Sequence, residues 1–257
     1  MKRYAAGTRI ADITRHFKCM RCEFRGTQLW DAEDSQERLT MCGRYLLTSS
    51  LDVVRQLAMF DQSPTLHPNY NVAPADEMPI IRRKKGDRRC ELAIARWGLI
   101  PHWAKDDKIA NSTINARAET AASERAFRNA FKRQRCLIPA NGYYEWARDG
   151  KIHQPYLIRM KGGGVFAFAG LWSFWRDVTS FTIMTAEPND LVAKIHDRMP
   201  VILGRDDYDR WLDLDADPTE VLKPCPSDWL EAYPVDKRVG NVRNNDEGLI
   251  EQIMVVP

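Results

Sequence analysis

The sequence contains no run of eighteen apolar residues and no apolar core near its first residues, so neither a membrane-spanning helix nor a secretory leader can be read from it. An unexported, cytoplasmic protein with no membrane partner is therefore expected. Cysteine is sparse, six in 257 residues, and Cys19, Cys22, Cys42, Cys90, Cys136 and Cys225 lack the spacing of a disulfide framework. They read as the reduced thiols of a cytosolic setting. Net charge is low as well: 38 basic against 35 acidic residues leave +3, too little to mark a nucleic-acid binder by charge alone but compatible with a local cationic groove. Between positions 42 and 257 there is no internal repeat, low-complexity tract or linker. With 44% hydrophobic residues this stretch can bury one substantial core, and a single domain over 41–257, acting as a monomer, is expected.

Residues 1–40 differ from the remainder. They are polar, carry both signs of charge and show no sustained helical or alternating apolar pattern, which predicts a poorly ordered extension. His16 and Cys19-Met20-Arg21-Cys22 offer half of a zinc site; no second pair stands at suitable spacing, so no metal is expected.

The chain turns on Met41-Cys42-Gly43-Arg44-Tyr45. If translation starts at Met41, or if the extension is cut away, Cys42 becomes the first residue, with a thiol and an α-amine on one carbon. Both titrate within about a unit of pH 8, so both have a nucleophilic fraction near neutrality. Together they can trap an aldehyde: the amine forms a Schiff base and the thiol closes it into a five-membered thiazolidine. An internal cysteine cannot, because its nitrogen is an amide. The plainer alternative is a small buried hydrophobe.

Downstream, pattern and turn residues predict a helix over 51–60 capped by Ser50, and strands over 78–82 and 90–97 joined by the basic tip Arg82-Arg83-Lys84-Lys85-Gly86-Asp87-Arg88-Arg89. The tip is either a solvated hairpin end or a polyanion contact. A helix of about fourteen residues ending near Arg135 is predicted from the stripe Ala122, Ala126, Phe127, Ala130 and Phe131. Further strands are expected over 136–140, 141–146, 154–160, 165–172, 180–185, 201–203 and 233–239, with an Asp149-Gly150 turn and short helices over 188–196 and 205–212. Strands outnumber helices and tight turns join them. The expected class is α+β, built on largely antiparallel sheets with a few packed helices.

Several side chains stand out. Glu145 lies among Tyr143, Tyr144 and Trp146, which would desolvate its carboxylate and raise its pKa toward neutrality; the alternative is a strand glutamate facing solvent. His196 is either an acid/base group or an imidazole at a helix C-terminus. Asn71 and Asn115 either orient a sugar or satisfy local turns. Trp97 and Trp103 flank a Gly/Pro turn, as core residues or as platforms for unpaired bases.

Taken together, Met-Cys-Gly-Arg-Tyr at 41–45, Tyr-Asn-Val-Ala-Pro at 70–74, Arg-Trp-Gly-Leu-Ile-Pro at 96–101, Asn-Ala-Arg-Ala-Glu-Thr at 115–120, Cys-Leu-Ile-Pro-Ala-Asn-Gly-Tyr-Tyr-Glu-Trp at 136–146, Phe-Ala-Gly-Leu-Trp at 168–172, Thr-Ala at 185–186, His-Asp-Arg-Met-Pro at 196–200 and Val-Gly-Asn-Val at 239–242 resemble the motifs of the SOS-response-associated peptidase (SRAP) family. The resemblance covers all but the first forty positions. It implies the SRAP fold, with its barrel-like core, and a sensor of abasic sites in single-stranded DNA that is nucleoid-associated when bound and needs no metal or organic cofactor. It implies that Cys42 is the nucleophile through amine and thiol, that Glu145 is the general acid/base, that His196 promotes opening of the sugar ring and that Asn115 positions the sugar. Lyase chemistry through the Schiff base and self-removal of residues before the cysteine are implied too.

On that reading Arg44, Arg117 and Arg198 would clamp phosphates, Asn71 would lie along the strand, and Trp97 and Trp103 would stack on bases. The extension is the one departure from the pattern, and it has to be absent or removed for a thiazolidine to form. Two other classes stay open: a cysteine hydrolase built on Cys42, His196 and Glu145, which needs only the thiol, and a non-covalent single-strand binder.

Overall fold

The computed structural model describes residues 42–254 apart from 84–86, 88, 150 and 151. The extension over 1–40 with its Cys19 and Cys22 pair, Met41, half of the basic tip (84–86 and 88) and the Gly150 turn lie outside the described residues.

Five strands close on themselves. They are β3 (Glu77–Arg83), β4 (Cys90–Trp97), β6 (Arg135–Ala140), β9 (Phe166–Trp175) and β10 (Val178–Ala186). β4 pairs with β3, β3 with β6, β6 with β9 and β9 with β10, each antiparallel, and β10 returns to β4 in parallel. The parallel junction is a consequence of the odd number. Four successive reversals leave the first and last strands running the same way, so the closing ladder must be parallel. β5 (Asn115–Arg117) and β11 (Met199–Pro200) add to β10, and β12 (Ile202–Leu203) adds to β9.

A second, five-stranded antiparallel sheet runs in the order β13 (Leu230–Pro234), β8 (Ile152–Met160), β7 (Gly142–Asp149), β1 (Tyr45–Leu47), β2 (Asn69–Val72). The fold is α+β with a barrel-like core.

A barrel of so few strands has room inside only for side chains. Every residue of β6 is buried, and the buried runs of β9 and β10 are nearly continuous because both strand faces are covered. Tyr45 meets Trp97 edge-on at 5.2 Å between ring centroids, and Phe168 at 6.0 Å, so the inner face of β1 packs on the barrel. Gly170 permits the tight β6–β9 contact, since a Cβ there would lie 2.4 Å from Cδ1 of Ile138. Gly98 ends β4 with φ +116°, a conformation that favours glycine, and a Cβ would meet the Ala110 carbonyl at 2.7 Å.

Helices are shorter than the pattern suggests. α1 covers only Leu51–Val54; Ser50 stands at the cap position but its hydroxyl makes no capping bond, and the chain tightens into turns such as Gln56 N–H to the Val53 carbonyl. α2 is Arg128–Arg133, because the segment before it is held in separate turns in which the Ser123 hydroxyl takes the Thr120 carbonyl. The expected helix over 188–196 is one 3₁₀ turn, Val192–Lys194, with the Asn189 side chain accepting from the Val192 N–H. α3 is Tyr208–Leu212, preceded by a 3₁₀ turn. The expected strand over 233–239 also falls differently: β13 ends at Pro234, and Asp236 caps a 3₁₀ turn over Lys237–Gly240 by accepting from the Arg238 N–H. Among the described residues no helix is long and apolar enough to cross a membrane.

Candidate active site

Cys42 lies just before β1, and β1 runs antiparallel to β7 with Tyr45 opposite Tyr143. The Tyr144 N–H donates to the Arg44 carbonyl, extending that ladder toward Cys42. Continued, the register carries the chain before β1 across the face of Glu145. There the Cys42 N–H donates to Oε1 of Glu145 at 2.6 Å. Cys42 has φ +40°, a left-handed conformation uncommon outside glycine, and is fully buried.

Glu145 is 3% exposed. Burial pushes its carboxyl up to about 8; the bond from Cys42 offsets part of the rise, and the nearby Asp197 charge adds to it. The Cys42 thiol is raised too, first by burial and then by Glu145. The phenols of Tyr45 and Tyr143 are buried and, among the described residues, meet no hydrogen-bond partner; burial raises both. These residues are all buried, and charge–charge effects are strong there.

Asn115 opens β5, which β10 holds in parallel register, and its Nδ2 lies 3.5 Å from the Cys42 carbonyl. His196 precedes β11 on the far side of β10. Its Nδ1 accepts from the Arg198 N–H at 3.1 Å and lies 3.0 Å from Oδ1 of Asp197. Cys42, Glu145 and Asn115 are thus in direct contact, and the His196 segment joins them through the Asp197 field at Glu145.

The residues expected along the strand divide. Trp97 is a correction: it is 1% exposed, its ring stacked on Phe181 and its Nε1 donating to the Ile114 carbonyl, so it has no face for a base. The alternation of β4 turns it into the barrel. Trp103 is 38% exposed, with the Arg125 guanidinium 4.4 Å above its ring. Asn71 is buried, and its Nδ2 faces the carbonyls of Val239, Asn241 and Asn244 at 3.1, 3.1 and 2.9 Å; it fastens the 239–244 loop and has no donor left for a sugar. Arg44 donates to Asn71 Oδ1 and to the Val239 and Gly240 carbonyls, a loop anchor as built here. Arg198 is engaged by Glu119, and Arg117 at the end of β5 is exposed. The pattern reading passed over Glu119 and Asp197, although both stand inside the quoted motifs.

A cavity of about 450 Å³ is lined by Leu57, Met59, Arg83, Arg205 and Tyr208 among others and contains none of these residues. Among the described residues no cluster of metal ligands occurs.

The SOS response associated peptidase (SRAP) family model matches residues 41–242. The chain belongs to this family. Its SRAP relatives include the abasic site processing protein YoqW of Bacillus subtilis, 42% identical over 224 residues, covering 82% of this chain and 99% of the relative. Another is YedK of Escherichia coli, also titled an abasic site processing protein, 30% identical and covering 83% of this chain and 100% of the relative. The SRAP chain is also similar in fold to a solved Bacteroides thetaiotaomicron protein, TM-score 0.73 at 26% identity, covering 83% of this chain and 100% of that one.

Proposed function

We propose that this SRAP protein processes abasic sites in single-stranded DNA by forming a covalent thiazolidine through Cys42, once Cys42 is the first residue. The observation that carries the reading is the 2.6 Å contact between the Cys42 nitrogen and a buried carboxyl raised to about 8. With the amine free, that nitrogen adds to the C1′ aldehyde of the opened sugar. Glu145 in its acid form gives a proton to the departing hydroxyl, which leaves as water and yields the Schiff base. The Cys42 sulfur then adds to the same carbon, its proton returning to Glu145, and the ring closes. The burial that raises the thiol keeps it protonated until that proton has an acceptor beside it, whereas a hydrolase nucleophile calls for a depressed thiol pKa.

His196 assists opening of the closed sugar, Asn115 holds the Cys42 backbone, and Arg117 and Trp103 receive the flanking phosphate and base. The same Schiff base permits β-elimination of the strand. Self-removal of the preceding residues fits the left-handed backbone at Cys42, which costs of order 1 kcal/mol.

The test mixes protein beginning at Cys42 with an oligonucleotide carrying one abasic site and separates the products on a denaturing gel. A retarded band is expected. Retention of the strand under native conditions with no such band would reduce the protein to a non-covalent binder.

A further inference from the structure

One ion pair joins the two arms of the site. Arg198 directs Nη1 to Oε1 of Glu119 at 2.7 Å and Nη2 to Oε2 at 2.9 Å, and Nη2 also donates to the Thr185 carbonyl at 2.8 Å. The Arg198 side chain is 13% exposed, and its hydrogen bonds hold the Glu119 carboxyl below the ordinary range. Such two-point pairing fixes orientation as well as distance.

Thr185 stands where the arms meet. Its backbone is in register with Arg117 of β5 and Pro200 of β11, and its carbonyl also accepts from the Ala118 N–H. Glu119 therefore ends the arm that begins with Asn115. Arg198 belongs to the arm that carries His196, and its backbone N–H donates to His196 Nδ1. Nδ1 has two neighbours, the Arg198 N–H, which needs its lone pair, and Asp197 Oδ1 at 3.0 Å, which favours a proton there; while the Arg198 bond is held, the neutral imidazole carries its proton on Nε2.

We propose that Glu119 is a positioning residue: its grip on Arg198 holds the Arg198 N–H against His196 Nδ1 and so presents His196 as an Nε2–H hydrogen-bond donor. The acceptor of that hydrogen bond rests on the abasic-site reading; the tautomer does not. In the ring-closed sugar the C1′–O4′ bond breaks while O4′ is hydrogen-bonded to Nε2–H; the C1′ hydroxyl gives its proton to water, O4′ takes one from water, and the neutral imidazole keeps its own. The aldehyde that reacts with Cys42 results. Neither oxidant nor further reactant is needed.

The experiment compares protein beginning at Cys42 with its Glu119→Ala variant by three readouts: the ¹⁵N signals of the His196 ring, the single-turnover rate of crosslinking, and the affinity for an undamaged single strand. The wild type is expected to show the Nε2–H tautomer and the variant a mixture. The rate should fall about tenfold, a part of what a positioned hydrogen-bond donor contributes, while affinity stays within about twofold. The loss should vanish on a strand whose aldehyde cannot cyclise.

An unchanged tautomer and rate would overturn the proposal. So would tighter binding with a steeper salt dependence, since Glu119 would then be restraining a phosphate-binding Arg198. Should the alanine variant melt early, Glu119→Gln, which keeps one acceptor and the same shape, is expected to give intermediate values. If the wild type forms no crosslink the abasic-site reading fails, and the ring signals alone decide the brace.

Discussion

The Cys42 nitrogen and Oε1 of Glu145 lie 2.6 Å apart although 103 positions separate them in the chain. The contact joins the entry of β1 to the middle of β7, where both residues are buried, and it gives a carboxyl and a nucleophile opposite demands on one proton.

That demand is measurable as stability. In the chain that keeps the peptide bond before Cys42, burial raises the Glu145 carboxyl from 4.5 to about 8. The folded state favours the protonated form, so the stability tied to this group is complete below about pH 4.5 and is lost as pH rises through about 8. Glu145→Gln, a permanent mimic of the neutral acid, should gain on the wild type progressively between pH 5 and pH 8, by a few kcal/mol in all. Denaturant titrations at three pH values check this; a difference that does not vary with pH would refute it. The same variant, freed at Cys42, should crosslink about a hundredfold more slowly or worse.

Cys42→Ala keeps a terminal amine and loses the thiol. It is expected to give no denaturant-stable adduct on abasic DNA, yet to form a Schiff base that borohydride reduction traps. Equal yields of stable adduct with and without the thiol would exclude the thiazolidine.

The two tryptophans should separate cleanly. Trp97→Ala empties a buried site beside Tyr45 and Phe181 and should cost about 3–5 kcal/mol of stability. Trp103→Ala should leave unfolding nearly unchanged and weaken single-strand binding by about 1–3 kcal/mol, read by titration with an undamaged oligonucleotide.

Asn71→Ala removes the amide that faces three carbonyls of the 239–244 loop. With those acceptors and Arg44 left short of a partner, a loss of about 1–3 kcal/mol in unfolding free energy is expected. Proteolysis should then cut first within 239–244.

Much of this architecture was legible along the chain. Runs of β-branched and aromatic residues between turns locate β3, β4 and β6 to β10, and the aromatics around Glu145 signal a desolvated carboxyl. Helix lengths were not legible, because apolar spacing at 122–131 fits a helix while local side-chain bonds to Thr120 and its neighbours favour turns. The roles of Asn71 and Arg44 were hidden as well, since the carbonyls they bind lie nearly 170 positions or more away.

By itself the sequence determined the chemistry on offer, a cysteine behind a methionine with a glutamate, a histidine and an asparagine in recognisable company, because residue type sets which bonds a side chain can make. Only the tertiary structure decided which of these meet and which tryptophan faces solvent. Pairing of β1 with β7 and closure of β10 on β4 are long-range events, and burial, which sets both the proton affinity of Glu145 and the access to Trp97, exists only once those ladders have formed.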